Sequence, residues 1–134
     1  MDELVIEATL ENMEPVLDFI DQRLADCPEK VKNQIALVVD EVFSNIAFYA
    51  YHPETGSVKV SIVVSSNAIT MEFEDSGAPF DPLAAEDPDI SLSAEERGTG
   101  GLGILMVKNL MDVVQYRREG HKNILTIKKE WVRA

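Results

Sequence analysis

Apolar residues recur along this chain in two periods, and each change of period marks a new element. Residues 3–9 (ELVIEAT) read as an opening strand. Met13, Leu17, Ile20 and Leu24, with Val16 beside them, then repeat at helical spacing to about Ala25. Thr9 to Asn12 offer capping side chains, and Pro15 suits only a first helical turn. Asp26-Cys27-Pro28 ends this helix and starts a longer one, with proline at a favoured first position. Over residues 35–51 of the longer helix, Ile35, Val38, Val39, Val42, Ile46 and Tyr49 form one core-facing stripe, and HPETG at 52–56 closes it. The period then falls to two. Val58, Val60, Ile62 and Val64 alternate, as do Ile69, Met71 and Phe73, around a turn at 65–68. Residues 104–111 read as a helix, and 112–118 with 122–132 form a last hairpin around Glu119-Gly120, with Leu125, Ile127 and Trp131 on one face. The order β-α-α-β-β-loop-α-β-β predicts an α+β fold. It is a two-layer α/β sandwich, a mostly antiparallel sheet covered on one face by three helices.

Polar residues interrupt this pattern in three places. Glu41 and Asn45 lie one helical turn apart on a flank of the apolar stripe, with Phe48 and His52 extending the row. Such a pair either edges the core or faces a pocket beside it. Asp75-Ser76-Gly77 stands at a strand end. Its carboxylate could accept from the amino group of a base, and Gly77 would let the backbone pass close to a flat ring, although D-x-G is also ordinary turn chemistry. GTGGLG at 98–103 opens a helix, where backbone N–H groups converge on an anion, or it serves as a hinge. No Gly-Lys-Ser/Thr follows, so this is not a Walker A loop, and a long irregular segment precedes it where a Rossmann fingerprint needs a strand. That segment, residues 76–97, holds three of the six prolines (Pro79, Pro82, Pro88) and a run of acids; a loop of about 20 residues in a compact domain tends to be functional or mobile. Asn45 offers an oxygen to Mg²⁺, Glu41 could take or position a proton, and Arg97 could bring positive charge to a terminal phosphate.

Composition narrows the choice. A chain of 134 residues suits one domain. Twelve basic against twenty-four acidic residues give a net charge of −12, which repels nucleic acid and anionic membranes, so neither is expected as a direct partner. That charge reads as a solvated surface more readily than as an acidic docking face. One cysteine, Cys27, forms no intrachain disulfide, no apolar run approaches spanning length, and the first residues are acidic; a cytoplasmic location is expected.

Taken together, EVFSNIAFYAY (41–51), EDSGAPFDP (74–82) and ERGTGGLGILMVKNLMDVV (96–114) resemble the N box and the two glycine boxes of the GHKL ATPase superfamily. The chain is most similar to its stand-alone anti-sigma-factor serine kinases. The resemblance implies a Bergerat-type fold, a single histidine-kinase-like ATP-binding domain over 1–134 with a mobile lid at 80–97. It assigns Asn45 to Mg²⁺, Glu41 to the general base, and Asp75 with Gly77 to the adenine of ATP. Gly98, Gly100, Gly101 and Gly103 take phosphate contacts, and Arg97 joins them if the glycines align without a gap. Tyr49 stands where the group often has histidine. Such kinases phosphorylate a serine or threonine of a small antagonist protein, hold a sigma factor inactive, and are commonly homodimers. Two other readings compete: the catalytic domain of a two-component histidine kinase, against which both histidines, His52 and His121, fall in turns; and a nucleotide-binding interaction module that sequesters a partner without phosphoryl transfer.

Overall fold

A computed structural model describes residues 2–51, 54–79, 81–83 and 101–132. Five strands, β1 (Asp2–Glu7), β2 (Ser57–Val64), β3 (Ala68–Asp75), β4 (Val113–Glu119) and β5 (Lys122–Glu130), form one sheet in the order β1-β2-β3-β5-β4, every neighbour antiparallel. Side chains alternate across a strand, so the register sorts them into rows on one face. Leu4, Val60, Phe73, Leu125 and Tyr116 lie opposite one another across all five strands on the inward face. The next inward row begins apolar with Ile6 and Val58, then turns polar with Asp75, Asn123 and Arg118. This change of chemistry at one end of the sheet founds the candidate site.

Three helices, α1 (Met13–Asp21), α2 (Glu29–Asn45) and α3 (Gly101–Leu110), cover the inward face, and α2 packs against both others. Ile35, Val38, Val39, Val42 and Phe43 of α2 are buried with Val16, Ile20 and Val107 against Val58, Val60, Ile69, Met71, Phe73 and Ile127 of the sheet. The outward face is a ladder of ion pairs. Lys59 reaches Glu3 at 3.2 Å and Glu74 at 3.4 Å, while Arg117 reaches Glu72 at 3.2 Å and Glu119 at 2.9 Å. This face needs no second layer.

The fold is the expected sandwich, with instructive local differences. Pro28 keeps an extended ψ of 144° and stands just before the first helical residue, where its carbonyl accepts from Lys32 N–H at 3.0 Å. Neither Thr9 nor Asn12 caps a helix through its side chain; Asn12 instead donates to the Glu7 carbonyl at 2.8 Å, tying the end of β1. The α1 helix stops at Asp21, and turns carry Leu24 onward into the core. Val64, though in phase with the buried valines, is 38% exposed at the hairpin end, beside an open groove under the connection between α1 and α2. The α2 helix begins at Glu29, and the five residues that follow it, Ile46–Ala50, continue it as a π turn. The proposed lid at 80–97 lies outside the described residues except for 81–83. No described helix is long and apolar enough to cross a membrane.

Candidate functional site

The π turn shapes one wall of the site. Its hydrogen bonds span five residues rather than four, so the next inward position comes one residue late. Ala50 is therefore buried, while Tyr49, inward on straight α-helical spacing, is 49% exposed beside Phe48 at 54%. Val42, Asn45, Ile46 and Ala50 from this helix face Phe73, Asp75, Tyr116, Asn123 and Leu125 from the sheet, with Ile104 of α3 and Pro82 closing the slot. The slot is apolar along its walls and polar at its end, as a flat heteroaromatic ring requires.

The polar end is set by the backbone after β3. Tyr51 accepts from Ser76 N–H at 2.7 Å and donates to the Ser57 carbonyl at 2.6 Å. Gly77 N–H donates to Asp75 Oδ1 at 2.9 Å, and Ala78 N–H to the Ala50 carbonyl at 3.0 Å. On the carbonyl side, Arg118 donates to Gly77 O at 2.8 Å and Asn123 Nδ2 to Ala78 O at 2.8 Å. A Cβ on Gly77 would sit 2.6 Å from the Ala50 carbonyl carbon and 2.8 Å from its Cβ, so only glycine fits there. Asp75, 6% exposed, is thus held at the slot's end by a turn bonded on three sides.

Glu41 and Asn45 are half-buried on successive turns of α2, and Asn45 lines the slot. Burial pushes the Glu41 carboxyl above its ordinary pKa; a hydrogen bond from Asn45 opposes this, and the charge of Asp40 adds to it. A carboxylate only accepts, so the group that Asn45 offers Glu41 is its NH₂. The Glu41 carboxylate lies against the backbone of Gly103 in the first turn of α3, where any Cβ would overlap it. The Asn45 carbonyl oxygen fits a hard cation that shares its remaining ligands with water and phosphate. The described residues contain no cluster of three His, Cys, Asp or Glu for a protein-only metal site.

Of the residues singled out from sequence, Asn45 and Asp75 line the slot, Gly77 shapes its end, and Glu41 with Gly103 meets at its side. Gly101 begins α3. Arg97, Gly98 and Gly100 lie outside the described residues. Ala50, Tyr51, Tyr116, Arg118 and Asn123 went unrecognised. Two of them carried a signal: Arg118 and Asn123 fall in the inward phase of their strands, in step with Tyr116 and Leu125, where an apolar residue belongs.

The chain matches the model of the histidine kinase-like ATPase domain over residues 6–129. A serine/threonine-protein kinase, BtrW of Bordetella bronchiseptica, is 24% identical over 99 residues, which cover 73% of this chain and 70% of that one. Among solved structures, the histidine kinase domain of the Erythrobacter litoralis EL346 blue-light activated histidine kinase superposes with a TM-score of 0.54 at 19% identity, over 90% of this chain and 59% of that one. A second structure of that blue-light kinase gives 0.54 at 21% identity, over 90% of this chain and 40% of that one. The chain therefore spans less than two thirds of each of those solved structures, and they share its fold alone. The family match takes in every described residue of the slot and all of the sheet but most of β1 and the last residue of β5, and by it the chain belongs to the histidine kinase-like ATPase domains.

Proposed function

We propose that the chain is an ATP-dependent serine/threonine protein kinase of the anti-sigma-factor type. The observation that carries this reading is the meeting of Glu41, Asn45 and Gly103 beside a slot that ends at Asp75. A nucleotide with its base at Asp75 would run its phosphates toward Asn45 and the start of α3. There the Asn45 carbonyl would hold Mg²⁺, and backbone N–H groups of the first α3 turn would face phosphate oxygen. Magnesium supplies charge neutralisation on the phosphates. Glu41 would accept the proton of the attacking serine or threonine hydroxyl, a task suited to a carboxyl whose pKa is raised by burial. The name of the Bordetella relative supports the acceptor class. The acceptor would be a small antagonist protein, with a sigma factor or similar regulator held in the alternative complex, and the kinase would act as a homodimer.

Calorimetric titration of ATP, with and without Mg²⁺, tests the pocket. Wild type should bind more tightly with magnesium, and Asn45→Ala should lose that increment. Labelling with ATP carrying a radioactive γ-phosphate tests the chemistry, since a phosphoserine or phosphothreonine survives acid and a phosphohistidine does not. Binding without any transfer would favour a nucleotide-dependent module that sequesters its partner, and acid-labile label would favour histidine kinase chemistry. Absence of ATP binding by wild type would sink the reading altogether.

A further inference from the structure

We infer that Asn123, through a hydrogen-bond relay from β4, is the positioning residue that makes Asp75 a reader of the base's amino group. The inference rests on ATP being the ligand of the slot. Asn123 is 5% exposed and lies opposite both Asp75 and Arg118 in the sheet register. Its amide orientation is fixed by chemistry on both sides. Arg118 Nη1, a donor with no accepting capacity, lies 3.1 Å from one amide atom, which must therefore be the oxygen. The other atom lies 2.9 Å from Asp75 Oδ1 and 2.8 Å from the Ala78 carbonyl, both acceptors, and must be the nitrogen. The Tyr116 hydroxyl also donates to the Asn123 oxygen. These bonds use both amide hydrogens and both lone pairs of that oxygen, so Asn123 acts through Asp75 and not on the base.

The effect on Asp75 is directional. Oδ1 accepts from Gly77 N–H and from Asn123 Nδ2, which fixes the plane of the carboxylate and leaves Oδ2 unused by the described hydrogen bonds. Oδ2 is then the acceptor for an exocyclic amino group. Without Asn123 the carboxylate keeps only the bond from its own turn and can rotate, so the slot would still take a purine but would no longer sense its 6-position. Charge-assisted hydrogen bonds held in this way sustain discrimination of about 10- to 100-fold.

The test compares ATP with purine riboside triphosphate, which lacks only the 6-amino group, on the full chain with Mg²⁺ present. Wild type should prefer ATP by that factor. Asn123→Ala should bring the preference close to unity, because the affinity for ATP falls by more than the affinity for the purine riboside nucleotide. Thermal unfolding verifies that the variant folds. If it does not, Tyr116→Phe, which removes one hydroxyl and keeps the ring, should still lower the preference in part. An undiminished preference in the folded variants, or an equal loss for both nucleotides, would overturn the relay and leave the ATP reading intact. A wild type that binds ATP without preferring it would also overturn the relay, and a wild type that binds neither nucleotide would remove the ATP reading itself.

Discussion

Glu41 is subject to two opposed demands. Its partial burial raises the carboxyl pKa, which suits a base but penalises the ionised form. Between the ordinary carboxylate range and the raised value, the folded chain holds a proton that the unfolded chain has lost. Stability therefore falls as pH rises through that window, and the penalty persists above it. Glu41→Gln should leave ATP affinity unchanged, raise the melting temperature slightly at neutral pH, and lower phosphoryl transfer by about 10²- to 10⁴-fold. Calorimetry, thermal unfolding and single-turnover assays check the three parts, and transfer at the wild-type rate would exclude Glu41 as the base. In the wild type, transfer should increase with pH through the raised pKa and then level off. Tyr51→Phe tests a different residue. It strips the partner from Ser76 N–H and from the Ser57 carbonyl, at a cost of about 1–3 kcal/mol in urea unfolding.

At the scale of elements, two glycines separate by what surrounds them. Gly77 abuts the Ala50 backbone, which cannot yield without moving the π turn; Gly103 abuts only the end of the Glu41 side chain. Gly77→Ala should destabilise the fold by about 1–3 kcal/mol and abolish nucleotide binding. Gly103→Ala should stay folded and bind ATP but transfer slowly, because its methyl group displaces the carboxylate. Thermal melts paired with ATP titrations would tell these outcomes apart. The elements themselves were readable from sequence, because hydrophobic period and turn residues are local signals. The π turn was not: IAFYA has the spacing of an ordinary helix, and the partner of its final carbonyl, Ala78 N–H, comes from the turn after β3, far along the chain. Asn123 and Arg118 were hidden for a similar reason. Their inward phase was visible, but polar residues in phase with a core gain meaning only when the register puts Asp75 beside them.

Across the whole molecule, charge and architecture act together. A net charge of −12 opposes the approach of a polyanionic nucleotide, so the ATP association rate should increase as salt is raised from about 20 to 200 mM, as stopped-flow mixing would record. A rate that fell with salt would reveal a local positive field at the mouth. Stability rests on the layer between helices and sheet, where Phe43 and Phe73 are almost wholly enclosed. Phe43→Ala should cost about 3–5 kcal/mol.

The hydrogen bond between Asp75 and Asn123 joins residues 48 positions apart in the chain. A long stretch of polypeptide must close before that contact exists, and the entropy of closure makes such pairings late and slow to form. The seat for the base would then be absent from the folding transition state, and ligand would have nothing to grip until the barrier is crossed. On this view saturating ATP slows unfolding while leaving the refolding rate untouched, and a freshly made chain must bring β5 against β3 before it can sense nucleotide at all.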